Sequence, residues 1–296
     1  TMAPTLANTA QYAATQLNQA QILITGANGQ LGTELRALLP QARATDRLEL
    51  DICDHDAVQR FIATHDIKLI INCAAYTNVE QAQEDQATCY HLNETGPNNL
   101  AHSDCRLIHI STDYVFSGHN FKPYTPDDAT EPLSVYGASK LAGEQAIIAA
   151  KPDAIILRTS WLYSAHGKNF VKTIAALSQE RSELTVVCDQ VGTPTWARDL
   201  AQAVVVAAAN YEGHGGIYHF SDEGVCSWYD LAHAIVAITQ RDRDLPCHVR
   251  PVPTSAYPTK AQRPHYSVLD KSKFTTTFNV TIPHWHESLE QCLKQF

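Results

Sequence analysis

The stretch Ile22-Leu-Ile-Thr-Gly-Ala-Asn-Gly-Gln-Leu-Gly32 decides the fold. A short apolar run, Ile22–Thr25, gives way to glycines at 26, 29 and 32 and then to a helical pattern over Leu31–Leu39. Strand, tight turn and helix start follow one another. The first glycine permits the turn, the second lets backbone approach a phosphate, and the third lets helix pack on strand. A helix N-terminus placed there faces a pyrophosphate with its free amides. Gly26, Asn28, Gly29, Gln30, Leu31 and Gly32 are therefore the first candidate cofactor-binding residues.

Downstream, the same alternation repeats. Arg43–Asp46, Leu69–Asn72, Leu107–Ser111 and Ala154–Arg158 read as strands apolar enough to be covered on both faces. Asp54–Thr64, Gln86–His102 and Leu133–Ala150 read as the helices between them. This pattern predicts an α/β fold with a doubly wound, Rossmann-like parallel sheet over residues 21–158. After Arg158 the regularity weakens. Leu184–Val187 and Ile217–Phe220 look like strands; Trp196–Ala209, Trp228–Gln240 and His284–Phe296 look like helices. Four prolines mark Arg250–Ser267 as a long irregular segment of the kind that often binds ligands. Residues 159–296 are thus expected to form mainly a smaller C-terminal substrate-binding lobe, with part of 189–210 packing back on the first domain. Residues 1–20 carry no charge and no continuous apolar run, and are expected to be a flexible leader rather than a signal.

Composition removes several classes of function. With 296 residues, 44% hydrophobic and 18% charged, the chain can bury a large core. A net charge of -9 offers no basic footprint for nucleic acid or an anionic membrane, and no apolar run is long enough to span a bilayer. The eight cysteines are scattered, as expected for free thiols in a reducing cytoplasm. His284-Trp-His286 has no acidic or cysteine partner at ligand spacing, so no metal site is expected there.

Asp46 closes the second strand 20 residues after Gly26, where a carboxylate can take the adenosine ribose hydroxyls. Its neighbour Arg47 suits a 2′-phosphate instead, so both NADH and NADPH remain open. Asp51 and Ile52 are placed to border the adenine. Cys73-Ala-Ala-Tyr-Thr77 ends the third strand with small residues, which makes Ala74, Ala75 and Tyr76 candidates to lie along the cofactor. Tyr136 and Lys140 stand four residues apart on one helix face and can serve a carbonyl oxygen with a proton. A free phenol has a pKa of about 10; a nearby ammonium and a positively charged nicotinamide would favour phenolate. Lys140 can also hold the nicotinamide ribose. Thr112, at a strand's carboxyl end in Ser111-Thr-Asp113, can bond the same carbonyl or cap its own loop.

Gly-x-x-Gly-x-x-Gly, Tyr-x-x-x-Lys and the strand-end Ser/Thr together resemble the extended short-chain dehydrogenase/reductases. Longer strings narrow the resemblance: Asn72-Cys-Ala-Ala-Tyr-Thr77, Ser111-Thr-Asp-Tyr-Val-Phe116, Leu157-Arg-Thr-Ser-Trp-Leu-Tyr163, Asp189-Gln-Val-Gly-Thr-Pro-Thr195 and Ser255-Ala-Tyr-Pro-Thr-Lys-Ala-Gln-Arg-Pro264. They are similar to the branch that reduces 4-keto sugars linked to dTDP, over roughly residues 21–296. The resemblance implies reduction of the C4 ketone of dTDP-4-dehydro-β-L-rhamnose to dTDP-β-L-rhamnose by NADPH or NADH in the cytoplasm. It makes Tyr136 the proton donor, Lys140 its partner and Thr112 a catalytic hydroxyl. Thr77, Val79, Thr112, Asp113, Trp161, Asn169 and Arg263 become substrate contacts. Some members dimerise through a Mg²⁺. Here Glu34 is retained but Arg198 stands where a carboxylate is expected, so a homodimer is open and Mg²⁺ doubtful. Two other readings are another nucleotide-linked 4-keto-6-deoxysugar as substrate, or a non-catalytic subunit like the methionine adenosyltransferase β-subunit.

Overall fold

A computed structural model describes residues 1–241 and 243–296. Helix α1 (Leu6–Gln16) precedes a regular alternation: β1 (Ile22–Thr25), α2 (Gln30–Leu38), β2 (Arg43–Thr45), α3 (His55–His65) and β3 (Leu69–Asn72). Short helices α4 (Val79–Ala82), α5 (Gln86–Tyr90) and α6 (Gly96–Ala101) lead to β4 (Arg106–Thr112), α7 (Val135–Ala150) and β5 (Ile155–Thr159). The sheet is parallel, in the order Gly216–His219, β5, β4, β3, β1, β2. From β1 the chain runs outward to β2, then returns to β3 on β1's other side. That reversal opens a crevice at the carboxyl ends of β1 and β3.

Both faces of the sheet are covered, which is why its strands read as continuous apolar runs. Leu23, Ile70, Leu107 and Ile156 face one layer with Val58, Leu100 and Ile147. Ile24, Ile71, Ile108 and Leu157 face the other, with Leu31, Leu35, Leu200 and Val204. The second lobe contains helices α8 (Phe170–Glu180), α10 (Trp228–Thr239) and α12 (Trp285–Leu293), with a parallel ladder of Glu183–Val187 and His248–Val252.

Three expectations are corrected. Residues 1–20 are not a flexible leader. Thr5 caps α1, and Leu6, Ala10 and Ala13 are buried against the main core. Leu6 N and the Thr281 carbonyl pair at 3.0 Å, tying the helix to the C-terminal region. The boundary at Arg158 also fails as a clean division. Strand Gly216–His219 completes the central sheet, and Phe274 of α11 (Ser272–Phe278) joins the first core. Helix α9 (Ala197–Ala209), inside the 189–210 stretch expected to pack back, adds Leu200, Val204 and Ala208 to the same core. Finally, Gln86–His102 is not one helix: a π turn at His91–Thr95 interrupts it. Pro97 follows at once and has no N–H to offer the carbonyl four residues back.

Candidate active site

The crevice opens into a cleft of about 1690 Å³ that runs from the glycine turn across β4 into the second lobe. Its size exceeds that of a typical single-ligand pocket and leaves room for a dinucleotide and a second molecule. Every candidate residue named from the sequence lines it except Tyr76. Tyr76 is a correction: its backbone N–H donates to Asn93 Oδ1 at 2.8 Å and its carbonyl accepts from Asn93 Nδ2 at 3.0 Å. It serves to join the β3 loop to the π turn.

The cofactor end is a cradle of backbone. Gly26 has φ +62°, and a Cβ on it would lie 2.6 Å from the Ala74 amide nitrogen. A Cβ on Gly32 would run into the Gly26 carbonyl. Gly29 caps α2 without any side chain, so the first amides of the helix remain available to a phosphate. These features fit a nicotinamide dinucleotide. Asp46 is more committed than its sequence position suggests. Its carboxylate accepts from Asn28 Nδ2 (2.9 Å), Leu48 N (2.9 Å) and Glu49 N (3.2 Å). Arg47 is exposed at the cleft wall and pairs with no carboxylate among the described residues.

At the chemical end Lys140 is buried and Tyr136 half-buried. Ser134 caps α7, and from that helix Tyr136 and Lys140 face the carboxyl end of β4. Lys140 Nζ donates to the Ile110 carbonyl at 2.7 Å. Burial pushes Lys140 down to about 8, opposed by the Glu144 carboxylate one turn on. Tyr136 shifts in the other direction from Lys140. Burial holds its phenol well above the usual tyrosine value, the Thr112 hydroxyl bonded to it works against that, and the Asp113 charge adds to it. Burial likewise lifts Asp113 to about 6, opposed by bonds from Ser267 and Thr112. One oxygen of that carboxylate, Oδ2, has no partner among the described residues. Asp113 lines the cleft, and a buried acceptor without a partner calls for one. Thr112 caps its own loop, accepting from Tyr114 N at 3.2 Å, and its hydroxyl also bonds the phenol of Tyr136.

Trp161 takes the left-handed φ of +49° and stacks on Trp228 at 3.7 Å with planes 10° apart. Asn169 reaches the cleft wall, but its amide is spent on Gln30 Oε1, the Ser164 carbonyl and the α8 cap. Arg263 binds Glu80 Oε1 at 2.5 Å. Glu80, Tyr114, Trp228 and Tyr257 also line the cleft and were not singled out from the sequence. Glu34 meets Arg198 at 3.2 Å and His166 at 3.5 Å. A lone carboxylate already held by a guanidinium does not fit a Mg²⁺ ion.

The chain matches the family described as RmlD substrate binding domain over residues 20–296. It belongs to that family. A dTDP-4-dehydrorhamnose reductase of Aggregatibacter actinomycetemcomitans is 40% identical over 286 residues, 92% of this chain and 97% of that one. Two solved structures of family members align closely. A dTDP-4-dehydrorhamnose reductase from Clostridium acetobutylicum has a TM-score of 0.88 at 40% identity, covering 92% of this chain and 98% of its own. One from Bacillus anthracis, in complex with NADP, has a TM-score of 0.86 at 37% identity, covering 93% and 99%. α1 lies outside the residues that the family spans.

Proposed function

We propose that this chain uses NADPH to reduce the C4 ketone of dTDP-4-dehydro-β-L-rhamnose, giving dTDP-β-L-rhamnose. The observation that carries the proposal is the meeting of Thr112, Tyr136 and Lys140 in one desolvated corner, at the end of a cleft that begins on a glycine cradle. Membership of a family whose relatives bear that reductase name supplies the substrate class.

Gly26, Gly29 and the start of α2 would hold the dinucleotide pyrophosphate, and Arg47 a 2′-phosphate. When bound, the nicotinamide supplies the hydride. The chain's own work is on the oxygen. Tyr136, kept neutral by burial, donates its proton to the C4 oxygen as charge develops there. Thr112 holds phenol and ketone in line. Lys140, anchored on Ile110, places a charge beside the ribose and the phenol. Asp113 Oδ2 accepts a sugar hydroxyl, and the Trp161–Trp228 stack forms an apolar wall for the sugar.

The test is an absorbance assay of NADPH oxidation with a panel of dTDP-linked 4-keto-6-deoxysugars. Turnover fastest on dTDP-4-dehydro-β-L-rhamnose is expected. Faster turnover of another member of the panel would reassign the substrate, and binding of NADPH without turnover of any would point to a non-catalytic subunit.

A further inference from the structure

The segment from Ser255 to Pro264 leaves the second lobe, crosses the mouth of the cleft and returns to where it started. Both its ends are pinned to one place. Asp189 Oδ1 accepts from Thr254 N (2.8 Å) and Thr254 Oγ1 (2.6 Å), while the Asp189 carbonyl meets His265 Nδ1 at 2.6 Å. A loop with its ends together and its own body in between is an Ω-loop, able to move as a unit. Its far side is fastened to the other lobe. Glu80, on α4, takes Arg263 Nη1 at 2.5 Å and the Lys260 backbone N–H at 2.8 Å. Lys260 Nζ also pairs with Glu84, but that pair is exposed at the surface.

The fastening reaches the chemistry. The Arg263 guanidinium lies against the Tyr114 hydroxyl, and the Tyr114 ring meets Tyr136 edge-on at 5.4 Å between centroids. Burial opposes ionisation of Glu80, yet the bonds from Arg263 and Lys260 keep its carboxyl below the ordinary range. It is therefore charged, and its two partners are both parts of the strap.

We infer that Glu80 is a positioning residue for the nucleotide-sugar: it latches the 255–264 strap across the cleft and so sets Arg263 and Tyr257 over the second ligand. The inference rests on the proposed reductase activity for what lies beneath the strap, but the latch itself does not. The cofactor cradle is at the other end of the cleft, so Glu80 acts on one ligand and not on the other.

The test compares Glu80→Ala with Glu80→Asp and with Glu84→Ala. Loss of a charged, half-buried bond should raise KM for the sugar roughly tenfold in Glu80→Ala. Its kcat should fall by no more than about threefold, since the strap reaches Tyr136 only through the Tyr114 ring, and its KM for NADPH should stay within about twofold, since the cradle lies at the other end of the cleft. Glu80→Asp should recover part of the loss. Glu84→Ala, which removes only a surface pair, should change KM by less than about twofold. The second readout needs no ligand: tryptic cleavage between Lys260 and Ala261, followed by mass, should be roughly fivefold faster in Glu80→Ala, as expected when a local opening is made easier. Unchanged cleavage, or unchanged sugar KM with faster cleavage, overturns the inference. So does a parallel loss for sugar and NADPH, which would make Glu80 merely structural. Inactivity of the wild type on the sugar would sink the reductase reading, and the latch would then stand or fall on cleavage alone.

Discussion

Replacing Arg47 by Ala tests how the site selects its dinucleotide. The Asp46 carboxylate is committed to three donors, so it anchors the turn and is not free to swing toward or away from a ribose. Arg47 is the group left to read the 2′ position. Two unit charges about 4 Å apart attract by about 1 kcal/mol in water and about 4 kcal/mol at an effective dielectric of 20. Arg47 is exposed, so its pairing with a phosphate belongs near the lower figure, at about 1–2 kcal/mol, or roughly five- to thirtyfold in affinity. Arg47→Ala should therefore lower kcat/KM for NADPH by that factor and change NADH by less than about twofold. The assay is initial-rate kinetics with both cofactors at two salt concentrations. The wild-type preference for NADPH should shrink toward 1 M salt, where the screening length is about 3 Å. Equal losses with both cofactors, or a preference indifferent to salt, would refute the assignment.

Tyr136→Phe removes the acid and should cut turnover by roughly 10²–10⁴ while NADPH affinity, measured by fluorescence, stays within about twofold. Asp113 is raised to about 6 from 3.8, so its buried form favours folding below the lower value and loses that contribution as pH rises through the higher one. Asp113→Asn should then be more stable than wild type at pH 7.5 by up to about 3 kcal/mol, with the gap closing below pH 4, as read by urea denaturation. Its activity should fall, since the open oxygen is lost. Removing residues 1–19 uncovers the surface that Leu6, Ala10 and Ala13 bury and should lower Tm by roughly 2–5 °C in a thermal scan with little change in kcat/KM.

The raised phenol is the state that a reductive step needs. A tyrosine tuned down to neutrality would be half-deprotonated before the ketone arrived. Here burial in the corner formed by β4 and α7 keeps Tyr136 neutral, and the same burial brings Lys140 close to releasing its own proton at about 8. The Glu144 carboxylate opposes that loss of charge. It does so from a fixed place, because Arg158 Nη2 grips its Oε1 at 2.6 Å and Ser111 donates to its other oxygen. A buried pair of this kind contributes little to stability by itself. Its position, one helical turn beyond Lys140 and next to the Thr112 strand end, supports the reading that it orients the chemistry.

The central sheet was legible because its strands are buried on both faces, and a run such as Ile22–Thr25 can hardly be anything else next to a glycine turn. The glycines, Tyr136 and Lys140 were legible because their spacing is local: one turn, one helix face. α1 was missed since its apolar residues, at 6, 10 and 13, form a stripe too thin to stand out among Gln, Asn and Thr. Its Ala, Leu and Gln favour a helix, but at eleven residues it is marginal until it docks. Strand Gly216–His219 was seen but given to the wrong lobe, because nothing within it says which edge it joins; that is decided by its register with β5. Tyr76 was misassigned for a related reason: the small residues before it do line the cleft, but the chain turns at that point and hands its backbone to Asn93. Glu80 is the extreme case. In sequence it is one more polar residue after Val79. Its meaning comes from Lys260 and Arg263, 180 and 183 positions away, and only a fold that closes the second lobe over the first can bring those charges to it.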